Sequence, residues 1–153
     1  MKKDIIDRMY EILGDDKDMA CIPPGADEGF ISDCNDDLRS MNCPVLPDDY
    51  ADFLRVMDGF AFNGVELFSS VGYFCSDSDY CLPDVVSCNE NFVDFYDGDD
   101  ELLWIGRDDL DYYCFNNITG KYETRDHECL SDVLDTYDDF EQLFVEIVLK
   151  RII

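Results

Sequence analysis

The stretch from Leu46 to Phe68 constrains the fold of this chain more than any other. Pro47 suits the first position of a helix, where its missing N–H costs nothing. Tyr50, Phe53, Leu54 and Met57 recur at i, i+3, i+4 and i+7, which lays an apolar stripe along that helix. Gly59, after Asp58, can take the left-handed conformation that ends helices. Gly64-Val65-Glu66-Leu67-Phe68 then reads as a turn entering a strand.

The same reading extends along the chain. A first helix runs from Lys2 to Leu13, with Ile5, Ile6, Met9, Ile12 and Leu13 as its inner stripe and Gly14 as its stop. Pro23-Pro24-Gly25 breaks the loop that follows. A second helix over Asp27–Arg39 turns Phe30, Ile31, Cys34 and Leu38 inward. After the Pro47 helix, a pair of antiparallel strands lies near Val65–Ser69 and Gly72–Cys75. Asp84 caps a further helix behind Pro83, whose face is Val85, Val86, Asn89, Phe92, Val93 and Tyr96. Leu102–Ile105 is a short, continuously apolar strand of the central kind. Tyr112–Phe115 and Lys121–Arg125 flank Asn116-Asn117-Ile118-Thr119-Gly120 as a hairpin. Residues 126–137 read as a short strand or as a turn of helix. A last helix starts near Asp138, with Glu141 three residues on, and buries Phe140, Leu143, Phe144, Ile147 and Val148.

This order is no regular βα alternation. It predicts an α+β fold, a mostly antiparallel sheet covered by N-terminal, middle and C-terminal helices. No linker divides the chain, so residues 1–153 read as one domain. A domain of this size buries about 68–70% of its unfolded surface.

The arrangement Leu46-Pro47-x-Asp49-Tyr50-x-x-Phe53-Leu54, then Asp58-Gly59 and Gly64-x-x-Leu67-Phe68, resembles the SUKH superfamily. Leu103-Trp104-Ile105-Gly106, the hairpin around Asn116–Gly120 and the closing helix at Asp138–Lys150 continue the likeness over roughly residues 26 to 150. Asp58 departs from it, standing where the family often has asparagine. Most members of that superfamily are bacterial immunity proteins, and it also includes a yeast cell-wall regulator. The resemblance implies a cytosolic protein that binds and neutralises the toxin domain of a secreted effector, often a nuclease. It implies structural roles for Leu46, Pro47, Tyr50, Phe53, Leu54 and Gly59. The alternative it leaves open is a regulatory or scaffolding module related to cell-wall synthesis regulators.

Charge narrows the partners independently. There are 37 Asp and Glu against 11 Lys and Arg, a formal net charge of −26. Nucleic acid and anionic lipid carry the same sign, so neither is an expected partner, whereas a basic protein surface is. The N-terminus lacks the apolar core of a signal peptide, and no run reaches the roughly 18 apolar residues of a spanning helix. A cytoplasmic location follows as the expectation, with the eight cysteines reduced.

The residues offer little catalytic chemistry. None of the cysteines forms a Cys-x-x-Cys pair, and His127 is the single histidine. The sequence around it is acidic, so it reads as a solvated surface residue. Asp97-Gly98-Asp99-Asp100-Glu101 only superficially resembles a calcium loop, because its sixth and twelfth positions are Leu102 and Asp108. Asp77-Ser78-Asp79-Tyr80 fails in the same way. No phosphate loop, nucleophile elbow or dinucleotide fingerprint is present. The reading is therefore a non-enzyme without metal or cofactor. The expected contact residues are the acids bracketing the Leu-Trp-Ile strand: Asp97, Asp99, Asp100, Glu101, Asp108, Asp109 and Asp111. Because a strand's ends lie at opposite edges of its sheet, they would form two patches.

Overall fold

Short helices with one apolar stripe need a sheet to bury it, and this chain builds one. The computed structural model describes residues 1–75, 79–95 and 101–153, the side chains of 93–95 aside. Helices α1 (Lys3–Leu13), α2 (Glu28–Ser40) and α3 (Asp48–Val56) come first, with a 3-10 turn over Gly14–Met19. Strands β1 (Phe60–Phe62), β2 (Val65–Leu67), β3 (Tyr73–Phe74) and β4 (Cys81–Leu82) follow, then α4 (Val85–Phe95). Strands β5 (Leu102–Arg107), β6 (Asp111–Asn116), β7 (Lys121–Asp126) and β8 (Val133–Tyr137) lead to the C-terminal helix. That helix is α-helical over Phe140–Leu143 (α5), widens to a π-turn over Phe144–Val148 and returns to α over Leu149–Arg151 (α6).

The sheet is antiparallel and its order is β1-β2-β5-β6-β7-β8, while β3 and β4 form a separate ribbon. The fold is thus α+β, with β5 central as its apolar run requires. The expected pair near residues 65 and 72 is corrected: β2 pairs with β1 and β5, and β3 pairs with β4. Within residues 126–137, Asp126 ends β7 and Val133–Tyr137 form β8, at one edge of the sheet.

Helices cover both sheet faces. On one, α3 and the C-terminal helix pack an aromatic cluster against β7. Tyr50 meets Phe140 edge-on at 4.9 Å, and Tyr122 lies 5.7 Å from the Phe140 ring. On the other, Phe92 of α4 stacks on Trp104 at 4.6 Å. One buried cluster draws on residues from Met9 to Ile152.

The Pro47 segment locks this packing through polar atoms. Pro47 is the N-cap of α3, one place earlier than its expected slot. The Tyr50 hydroxyl donates to the carbonyls of Phe68 and Ile105, joining α3 to β5 and the end of β2. Asp49 accepts from the Tyr122 hydroxyl and from the Phe140 N–H at 2.8 Å, so it also caps the C-terminal helix. Gly59 has a φ of +99°, and a Cβ there would sit 2.6 Å from a Leu82 methyl. Its role is a tight passage into β1, since α3 already ends at Val56. Phe30, expected inside, is 43% exposed, while Ile31, Cys34 and Leu38 are buried. The capping box at the last helix falls one residue later than expected, with Asp139 accepting from the Gln142 N–H at 2.8 Å.

Candidate functional site

Strand β5 separates the expected contact acids into two groups. Its six residues span about 20 Å at the usual strand rise. Glu101 stands exposed at its start; Asp97, Asp99 and Asp100 lie outside the described residues. Asp108, Asp109 and Asp111 follow its other end, in the turn to β6 and at the start of β6.

Only one of those three is open to a partner. Asp108 accepts from the Tyr113 hydroxyl, from Arg151 and from the Leu110 and Asp111 amides. Burial alone would raise its carboxyl, but these donors outweigh it and hold Asp108 below its ordinary range. Asp111 is buried and paired with Arg151 at 2.8 Å. Both are therefore withdrawn from the contact set: they anchor the C-terminus to the β5–β6 turn. Asp109 remains exposed beside Gly64.

Asp109 also lines a cleft of about 820 Å³ between the β1–β2 hairpin, the 3-10 turn and the β3–β4 ribbon. Asp18, Phe62, Glu66, Tyr73 and Tyr80 form its other principal walls. Glu66 is already engaged there, accepting from Arg107 Nε at 2.7 Å and from the Tyr80 hydroxyl. Sequence reasoning missed this cleft because Asp18, Phe62 and Tyr80 are far apart along the chain. Topology alone brings them together.

The expectation that all eight cysteines are reduced is also corrected. Cys21 and Cys75 are joined by a disulfide across the same cleft, with Cα atoms 6.0 Å apart. The bond ties the segment over β1 to the ribbon. Burial pushes the Cys34 and Cys88 thiols up to about 12, which removes them as nucleophiles at neutral pH. His127 is exposed, and its ring N–H donates to the Leu110 carbonyl at 2.6 Å, pinning two loops together. Among the described residues, no three His, Cys, Asp or Glu side chains converge as a metal site. No helix of the described residues is long and apolar enough to cross a membrane.

The arrangement suits association. It offers exposed carboxylates, aromatic walls and few uncompensated cations. Among the described residues, ion pairs engage eight of the eleven basic side chains, namely Lys2, Lys3, Arg39, Arg55, Arg107, Lys121, Arg125 and Arg151. No family model matches the chain, and no curated protein matches it.

Proposed function

We propose that this chain is a cytoplasmic immunity protein that binds the toxin domain of a polymorphic or contact-dependent system and blocks it by occlusion, without chemistry. The observation that carries this reading is the net charge of −26, borne by a fold whose few cations are mostly turned to internal pairs. The resemblance of the Leu46–Phe68 segment to immunity proteins supplies the biological setting.

The physical logic is complementarity. A nuclease must hold phosphates, so its active surface is basic. An acidic body is drawn to that surface over long range, which raises association to around 10⁸–10⁹ M⁻¹s⁻¹ at low salt. A toxin that must be stopped before it acts rewards such speed. Among the described residues, Glu101 and Asp109 are the exposed members of the expected contact set. Binding to candidate toxin domains, measured by calorimetry across salt concentrations, tests the proposal. Affinity falling as salt rises is the expected result; affinity indifferent to salt rejects electrostatic capture.

A further inference from the structure

The six-stranded sheet has two edges, and among the described residues only one is closed. At β1 the edge is covered: the Cys21 N–H donates to the Ala61 carbonyl at 2.8 Å, and the Ala61 N–H donates back to Cys21 at 3.0 Å. The Cys21–Cys75 disulfide holds that cover in place. At the other end of the order stands β8, where Val133, Leu134, Asp135 and Thr136 are all exposed. Val133 and Leu134 are 44% and 48% exposed, large values for such side chains in a strand.

An open edge is a template for pairing, and proteins blunt it with lysine, proline or a bulge. β8 contains neither lysine nor proline. Its register with β7 shifts near Val133, but Asp135, Thr136 and Tyr137 pair regularly with Thr124, Glu123 and Tyr122. The charge there is one-sided. From Asp126 to Asp139 the chain carries Asp126, Glu128, Asp132, Asp135, Asp138 and Asp139, with no Lys or Arg. Lys121 answers Asp138 at 2.7 Å, which leaves most of that charge in place.

We infer that β8 is a docking strand for an extended, lysine- or arginine-rich segment of a protein partner, which joins the sheet by main-chain hydrogen bonds. In strand addition the backbone supplies affinity and alternate side chains supply selectivity. Asp132 and Asp135 select cations, and Val133 and Leu134 receive apolar stems. The same acids exclude a second copy of this chain, because like charges meet across such a pairing. The inference rests on the proposed basic partner and adds where, and in what conformation, that partner is held.

The test uses the full chain and a ten-residue peptide of alternating Lys and Thr. Hydrogen exchange maps the amides it protects, and titration gives its affinity at low and high salt. A second peptide of alternating Lys and Pro carries the same charge but lacks half of the backbone N–H donors. The expected result is slowed exchange over residues 133–137, weaker binding of the Lys-Pro peptide, and an affinity loss of about tenfold in Asp132→Lys with Asp135→Lys. Asp15→Lys with Asp16→Lys, exposed on the 3-10 turn, should leave peptide binding within about twofold of the unaltered chain. Should the β8 variant not fold, the exchange map of the unaltered chain decides alone. Protection centred elsewhere, or equal binding of the two peptides, overturns strand addition and leaves the basic-partner reading standing. Failure of both peptides to bind at low salt overturns strand addition and the basic-partner reading together.

Discussion

Two residues show how polar groups are placed inside this fold. Asp58 is buried and accepts from the Ser70 amide at 2.7 Å and from the Ser70 hydroxyl at 2.8 Å. Burial raises its carboxyl above the ordinary 3.8, and the Ser70 bonds only partly oppose the rise. The ionised form therefore opposes folding at neutral pH, and that penalty fades as pH falls through the raised folded value. Asp58→Asn retains an acceptor for the Ser70 amide and removes the charge. It should equal or exceed the parent in stability at pH 7, and the parent should recover ground at about pH 4, as read by urea unfolding. Asp108 has the opposite sign. Its folded value is lowered, so its stabilisation is full above 3.8 and lost as pH falls through the lower folded value. Arg151→Gln removes the cation paired with Asp111 and one of the four donors to Asp108, and should cost about 3 kcal/mol at pH 7, with the cost shrinking in acid. Such roles were only partly legible. Asp58 stood out in the sequence only as a departure from the pattern that the chain resembles. Asp108 and Asp111 looked like any loop acids, because their partner, Arg151, lies some forty residues away.

Elements with strong periodicity were readable, and those made by tertiary pairing were not. The helices around Tyr50 and Met9 and the apolar β5 announced themselves through spacing. β1, β3 and β4 are two or three residues long and have no period to detect. β5 departs from regular pairing in two ways that have no sequence period: its register with β6 bulges between Trp104 and Gly106, and at Trp104 a side chain takes the place of a neighbouring strand. Asn89 of α4 accepts from the Trp104 N–H and donates to the Trp104 carbonyl, both at 2.8 Å. It was visible only as the one polar member of an apolar stripe. A Cβ on Gly106 would meet the Glu66 carbonyl at 2.6 Å, which is why glycine follows that bulge. Asn89→Leu keeps the volume but leaves two buried backbone groups unpaired. It should cost about 2–4 kcal/mol in denaturant unfolding. A loss below about 0.5 kcal/mol would mean that α4 does not fasten β5 through this pair.

At the scale of the molecule, the disulfide and the charge decide how the protein behaves. Cys21 and Cys75 close a long loop, with a sequence separation of 54, which on chain-entropy grounds stabilises by about 4 kcal/mol. Alkylation of the unreduced, denatured chain should therefore label six cysteines, and Cys21→Ser with Cys75→Ser should lower the unfolding midpoint. The cytoplasm's thiol pool works against such a bond, so labelling in intact cells also reports where the protein resides. The sequence could not pair these two among eight, since their proximity comes from the β3–β4 ribbon folding over β1. The excess charge, by contrast, was plain from composition, and the ion pairs inside the fold leave it largely outstanding. Its consequence is kinetic. The most direct test follows association of the chain with candidate basic toxin domains, by stopped flow, from about 0.02 M to about 0.5 M salt, where screening shortens from long to short range. A rate constant that falls at least tenfold across that range is the predicted result, and one that stays flat contradicts electrostatic capture.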